Sequence, residues 1–400
     1  MLKITDKSAE DNTPPLLRLA FRPFFLLGSI YAVLAILIWL YAFQHGQPSQ
    51  LQVPALWWHV HEMLFGFAMA IVVGFLLTAV QNWTGIAGTR GLYLAALVLL
   101  WLLPRVLFWT DTPLWLISSI EALFLLAAAY ALSHRVLRAK RYKNLIFGGF
   151  LLLATVANFA SYATIKGMPP FPSIAVWQAM LWWFVMLISI MGGRVIPFFS
   201  ARRLNHPKAE PLLWLDGIAN TTLLLLFILS FFPLTDHLLG TSIVLLAALS
   251  QLVRWLRWRP WLSLKEPLLW SLQLAYGCIP LALLIKGLAM LGLTGNAVWV
   301  SHQMIHILAI GVIAGLILAM IVRVSLGHTG REVYAGPSMW PAFAAIMLAA
   351  LLRGAAVALW PQHLLLLVNL SGALWVAAFG LFVIKFSPLL LSPRLDGHPG

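Results

Sequence analysis

Long unbroken apolar runs dominate this sequence, and they leave few folds open. About 20 consecutive apolar residues make a helix that crosses a bilayer core of ~30 Å. Lipid offers no hydrogen-bond partners, so runs of this kind satisfy their backbone groups by forming helices. Alternation at period two is absent, and the runs are far too long for the strands of a membrane barrel. The composition agrees: 62% of the 400 residues are hydrophobic and 10% are charged, against roughly 25% charged in soluble domains. The fold class expected is therefore all-α, a polytopic bundle of about twelve transmembrane helices in a lipid bilayer.

The runs place helices at 24–43, 60–80, 91–109, 113–133, 144–164, 174–192, 212–232, 237–256, 267–292, 299–322, 339–359 and 363–385. This divides the chain into an N-terminal segment 1–23, a membrane domain 24–385 and a C-terminal tail 386–400. No short apolar core with a small-residue cleavage site precedes residue 20, so no removable signal peptide is expected.

The net charge of +14 suggests nucleic acid at first sight. The cations instead sit in short clusters between apolar runs. With the N-terminus inside, 22 of the 26 Lys and Arg residues fall in inside segments, Lys166 falls outside, and Arg105, Lys286 and Arg353 lie within helices. Retention of positive loops in the cytoplasm explains this split. The expectation is a bacterial inner (cytoplasmic) membrane protein with both termini cytoplasmic and no nucleic-acid partner. The single cysteine, Cys278, permits no internal disulfide.

Ionisable groups inside a bilayer are costly and mark function by default. Two histidine groups open the second and tenth helices: Trp57-Trp58-His59-Val60-His61-Glu62-Met63 and Trp299-Val300-Ser301-His302-Gln303-Met304-Ile305-His306. Both helices run from outside to inside. His302 and His306, four residues apart, share one helix face, whereas His59 and His61 differ by about 200° of rotation and cannot face one metal on an ideal helix. Trp58-x-x-His61-Glu62-Met63 echoes Trp299-x-x-His302-Gln303-Met304. Gly74 and Gly315 keep the same offset behind the histidines, and each following helix carries one arginine, Arg105 or Arg353.

Imidazoles at this level suit iron and copper. Arg105, Arg353 and Lys286 lie at a depth where they could meet haem propionates; Arg105 and Arg353 could instead bind an anionic substrate or pair with Glu62 and Glu121. The bland reading of Gly192-Gly193-Arg194 within segment 191–199, which ends the sixth helix, and of segment 323–331, which follows the tenth, is a tight turn with inside-retained charge. The functional reading of these segments is a second site for a quinone head group, a second haem or an anion. Arg22-Pro23 reads as a structural stop. The rival functional reading of the histidines is a proton or substrate relay in a transporter. It fits poorly with the scatter of Glu121, Asn158 and Asp216.

Phe21-Arg22-Pro23-Phe24-Phe25, His59-Val60-His61-Glu62-Met63, Gly193-Arg194-Val195-Ile196-Pro197 and Leu326-Gly327-His328-Thr329-Gly330-Arg331 together resemble the NnrS family, over about residues 16 to 385. The resemblance implies a bacterial inner-membrane protein that contains haem and copper and acts in the response to nitric oxide, linked to denitrification and nitrosative stress. In haem–copper oxidases and related nitric oxide reductases the second metal uses histidines of the sixth and seventh helices, which here contain none.

The reading of the residues is a haem b between the second and tenth helices, with His61 and either His302 or His306 as axial ligands and Arg105, Arg353 and Lys286 at the propionates. The spare histidines, His59 and one of the helix-ten pair, with Met63, are left for copper. Nitric oxide is the expected small-molecule partner, with a quinone or another electron donor; the alternative is a transporter for a metal or metal–nitrosyl species with the histidine cluster as its translocation site. No C-x-x-C-H haem attachment motif is present.

Overall fold

In the computed structural model, residues 12–165, 167, 172–232 and 237–397 are described. Lys3, Lys7, Lys166 and His398 lie outside the described residues. Among the described residues there is no strand. Also among the described residues, ten helices are long and apolar enough to cross a membrane. These are α1 (Phe21–His45), α2 (Ala55–Thr84), α4 (Leu114–Arg138), α5 (Leu145–Ile165), α6 (Ser173–Leu204), α8 (His237–Arg257), α9 (Pro267–Met290), α10 (Val298–His328), α11 (Trp340–Leu359) and α12 (Leu364–Leu391). Two shorter apolar helices, α3 (Gly91–Leu107) and α7 (Leu213–Leu229), are 17 residues each. That is the short end of the length that spans a bilayer. Each helix expected from the sequence has a counterpart.

Local chemistry explains many of the boundaries. Pro54 and Pro113 stand immediately before α2 and α4, and Pro267 opens α9, where the missing N–H costs nothing. Asn296 caps α10 by accepting from Trp299 N at 3.1 Å. Gly85, at φ +71°, closes α2 in the left-handed region.

The sixth helix differs from expectation. It continues through Gly192-Gly193 to Leu204, so no turn occurs there. The glycines serve packing instead: a Cβ at Gly193 would lie 2.0 Å from Arg254 Nη2, and one at Gly192 would lie 3.1 Å from the Tyr276 ring. The twelfth helix likewise runs to Leu391, beyond the expected 385.

Two compact units make up the chain. Unit 1 contains Met1–Ser173, Ile321–Pro337 and Phe379–Gly400; unit 2 contains Ile174–Met320 and Ser338–Ala378.

In unit 1, α2 crosses α1 where Gly74 admits Phe24: a Cβ there would stand 2.7 Å from Phe24 Cβ. The first and last sequence motifs meet at the far end of this unit. Arg22 is fully buried, and its Nη1 donates to Leu390 O at 2.9 Å and Ser392 O at 2.7 Å, satisfying carbonyls at the end of α12. Phe21 packs 5.6 Å from the His328 ring, and Arg394 donates to His328 O at 3.3 Å. These contacts give Arg22-Pro23 the structural role expected of it.

In unit 2, Gly315 is the close-contact point of α10, where a Cβ would stand 2.3 Å from Met347 Cε of α11 and 3.3 Å from Ala275 Cβ of α9. Asp216 is not isolated here. Arg254 Nε donates to Asp216 Oδ1 at 2.5 Å, and Nη1 donates to Ser189 O at 2.9 Å and lies 2.7 Å from Tyr276 OH. Tyr276 in turn donates to Gln251 Oε1 at 2.5 Å. This buried network ties α6, α7, α8 and α9 together.

Among the described residues, three helices contain a π-helical segment: Glu62–Ala68 in α2, Ile307–Ala314 in α10 and Leu351–Ala356 in α11. Each follows or holds a residue that the sequence singles out: His61, His306 and Arg353. Such widened turns frequently accompany functional sites.

Candidate metal centre

The starts of α2 and α4 and the ends of α3 and α5 come to the same side of a bundle of alternating helices. Each of the four carries a polar residue near that end: His61 and Glu62, Glu121, Arg105, and Asn158. Inside unit 1 these side chains form one cluster. His61, Glu62 and Asn158 are 0% exposed, Glu121 3% and Arg105 5%, so the charges must compensate one another within the cluster.

The geometry shows how. His61 Nδ1 lies 3.0 Å from Glu62 Oε1, and Nε2 lies 3.3 Å from Glu121 Oε2. Arg105 bridges the same two acids, with Nε 3.1 Å from Glu62 Oε2 and Nη1 2.8 Å from Glu121 Oε1. Asn158 Nδ2 and Tyr162 OH donate to Glu121 Oε2 at 2.7 Å and 2.9 Å. Tyr31 OH donates to Glu62 Oε2. Two carboxylates face one guanidinium and one imidazole, and a proton on both ring nitrogens brings the four groups to zero net charge.

The π segment positions Glu62. Its wider turn releases carbonyls from the regular ladder, and Gly66 O finds a partner in the Trp101 indole, which donates at 2.9 Å. A Cβ at Gly66 would fall 2.6 Å from Glu62 Oε2 and 2.9 Å from Tyr31 Cε1, so only glycine leaves room for that carboxylate and its tyrosine. Aromatic rings enclose the imidazole. Trp57 stacks at 4.4 Å and 15° and Phe65 at 4.9 Å and 28°, with Phe108 and Tyr162 edge-on.

One ligand atom each from His61, Glu62 and Glu121 lies within 4.8 Å of the other two, close enough to hold one metal ion. One imidazole nitrogen with two carboxylate oxygens is a hard-to-borderline donor set, suited to a small divalent ion of the iron, copper or zinc class. A macrocycle fits His61 poorly in this arrangement. Both ring nitrogens face carboxylates and two aromatic rings stack on the imidazole, which leaves no open edge for a haem plane.

The other residues expected at a cofactor site lie as follows. His59 turns away from His61, as its helical phase requires, and stacks on Trp39 at 4.2 Å and 13°. Met63 is half-buried. Arg105 is committed to Glu62 and Glu121, the pairing that the sequence left open beside a propionate role.

In unit 2, His302 is exposed and its Nδ1 lies 2.8 Å from Val298 O. A ring N–H donated to a backbone carbonyl leaves Nε2 as a free acceptor, the arrangement common in metal-ligating histidines. His306 is half-buried one turn further on. Arg353 Nη1 donates to Gln303 Oε1 at 2.7 Å. Lys286 instead lines a cavity of about 20 Å³ with Gln178, Ser301, Met304, Ile305 and Leu308. At 100° per residue, Ser301, Met304 and Ile305 lie on the face of α10 opposite Gln303, so Lys286 and Arg353 flank different sides of that helix.

Sequence reasoning offered Glu121 as a partner for Arg105 but otherwise treated it, with Asn158, as scattered, and did not single out Tyr31 or Tyr162. The signal for the first two was present: each is the lone acid or amide in the middle of an apolar run.

A comparison with curated proteins finds no match. The NnrS protein family matches residues 15–394, nearly the whole chain. The chain therefore belongs to the NnrS family.

Proposed function

We propose that this chain is a haem- and copper-containing protein of the nitric oxide and nitrosative-stress response. In this reading it lies in the bacterial inner membrane with both termini cytoplasmic, and it binds or transforms NO at a metal site on the periplasmic side. The observation that carries the metal site is the convergence of His61, Glu62 and Glu121 within 4.8 Å in a fully buried setting. Family membership supports the NO response, and the uneven distribution of loop cations supports the orientation.

The donor set of unit 1 fits a single small ion. Copper at this site would be held as Cu(II) by imidazole and carboxylate, and it would supply coordination and one-electron exchange for NO. Glu62 and Glu121 would turn toward the ion. Arg105 would hold the second oxygen of each carboxylate, and Tyr31 and Tyr162 would fix their rotamers. The stacked Trp57 and Phe65 keep bulk water from His61. Haem b is better served by His302, whose Nε2 is free, with His306 as its neighbour on the same helix face. NO, small and apolar, would reach either site through the lipid.

The test is metal and haem analysis of the full-length protein purified in detergent. Bound copper and a haem Soret band that shifts on addition of NO are expected. Glu121→Gln should lower copper and spare haem, whereas His302→Ala or His306→Ala should lower haem and spare copper. Protein that carries neither group after expression in metal-replete cells would refute the reading.

One observation favours a transporter: the Asp216–Arg254–Tyr276–Gln251 network gives unit 2 a buried polar path of its own. Metal flux into proteoliposomes containing haem-free protein would support that alternative.

A further inference from the structure

The two units share a local construction that goes beyond the short sequence echo. In each, a Trp-x-x-His-(Glu/Gln)-Met segment leads into a π-helical turn, Glu62–Ala68 or Ile307–Ala314. The next helix returns an arginine to the residue that follows the histidine: Arg105 Nε to Glu62 Oε2 at 3.1 Å, and Arg353 Nη1 to Gln303 Oε1 at 2.7 Å. The correspondence extends one helix further. Glu121 follows Arg105 at the same spacing as Asn369 follows Arg353. Helices α11 and α12 are tied at that level by Ser371 Oγ, which donates to Ala349 O at 2.9 Å.

In sequence, the cationic positions of the first cluster recur in unit 2, and the positions of both carboxylates hold amides. The chain has no Asp or Glu anywhere in 267–320 or 338–378. Among the described residues, Arg353 has Gln303 as its polar partner, and that amide offers an oxygen but no charge. A guanidinium half-buried in a membrane segment without a counter-charge is costly. Its position is nonetheless fixed, because Gly354 lets α11 press against α10: a Cβ there would lie 2.5 Å from Ile307 Cδ1.

We propose that Arg353, anchored by Gln303, forms an anion-binding site for a carboxylate or a small oxyanion such as nitrite. The ligand's paired oxygens take the place that carboxylates hold in unit 1. A guanidinium fork matches a planar two-oxygen anion, and Arg353 keeps its other N–H groups beyond the one given to Gln303. The Gln303 amide anchors the arginine without competing for its charge. The first cluster is thus built for cations and the second for anions, by two acid-to-amide exchanges on one scaffold. This site stands whether or not a metal occupies the His61 cluster.

The experiment is thermal unfolding of the full-length protein in detergent, titrated with sodium nitrite and separately with sodium acetate against sodium chloride at equal ionic strength. Saturable stabilisation by nitrite or acetate over chloride is expected. Arg353→Ala should weaken the apparent affinity by roughly tenfold or more. Gln303→Glu is the decisive variant. It restores the carboxylate found in unit 1, so it should abolish the anion response while unfolding at or above the wild-type temperature.

Haem-loaded and haem-depleted preparations separate the two sources of such an anion. A response confined to depleted protein assigns the site to a haem propionate, and a response in both assigns it to a free oxyanion. Either result supports the site. No saturable response in either preparation, or a Gln303→Glu variant that responds like the wild type, would overturn it. Metal content is read separately, so failure here is distinct from failure of the metal reading.

Discussion

One guanidinium joins acids from two helices: Arg105 Nη1 lies 2.8 Å from Glu121 Oε1 while Nε lies 3.1 Å from Glu62 Oε2. Removing it leaves two buried carboxylates with a single imidazole between them. Breaking a buried ion pair by deleting one partner costs about 3–5 kcal/mol. Arg105→Ala should therefore lower the unfolding temperature strongly. Arg105→Lys, with one ammonium in place of a fork, should recover only part of the loss. The triple variant Arg105→Met/Glu62→Gln/Glu121→Gln, which removes charge of both signs, should be more stable than Arg105→Ala alone. A triple variant no better than the single one would show that the cluster is not held by charge compensation.

Metal removal gives a second prediction. A ligand that binds only the folded state stabilises it in proportion to the logarithm of its concentration over its dissociation constant. Protein loaded with copper should lose thermal stability on treatment with a membrane-permeant chelator and regain it on reloading. Glu121→Gln weakens one of the three donors, so its unfolding temperature should respond little to chelator. Equal chelator sensitivity in wild type and variant would place the stabilising metal elsewhere.

Much of the architecture could be read before any coordinates, because hydrophobic run length is a property of consecutive residues. The same holds for the histidine phases: His59 and His61 diverge onto Trp39 and Glu121 as 100° per residue requires. The partners of His61 were less accessible. Glu121 and Asn158 are 60 and 97 positions away from it, and nothing local announces that α4 and α5 fold back to its level. The π turn at Glu62–Ala68 breaks the 3.6-residue period just behind the cluster, which no periodicity argument anticipates. Gly192-Gly193 misled for a related reason. Glycine pairs usually end helices in water, whereas in membranes they admit a neighbour, here Arg254 and Tyr276.

That contact makes a third prediction. A methyl group at residue 193 would fall 2.0 Å from Arg254 Nη2, and the guanidinium is fixed by Asp216, Ser189 and Tyr276. Gly193→Ala should cost about 1–3 kcal/mol, the usual range for forced overpacking. The cost should largely vanish in an Arg254→Ala background, where the obstructing group is gone. A double-mutant cycle on thermal or denaturant unfolding measures this coupling. Simple additivity of the two substitutions would sever the link between the glycine and the arginine.

The orientation of the whole chain can be checked at two loop positions. Gln52, exposed before α2, and Lys140, exposed after α4, are separated by α2, α3 and α4, so they should lie on opposite sides of the membrane. The basic cluster Arg135, Arg138, Lys140, Arg141 and Lys143 assigns the second of them to the cytoplasm. With Cys278 replaced by serine to remove the one native thiol, Gln52→Cys should react with a membrane-impermeant maleimide added to intact spheroplasts. Lys140→Cys should react only after the membrane is opened. The reverse pattern would invert the protein and turn the His61 cluster to the cytoplasmic side. Labelling of both positions from one side would mean that α2, α3 and α4 do not all cross, and that the 17-residue α3 is a re-entrant or interfacial helix.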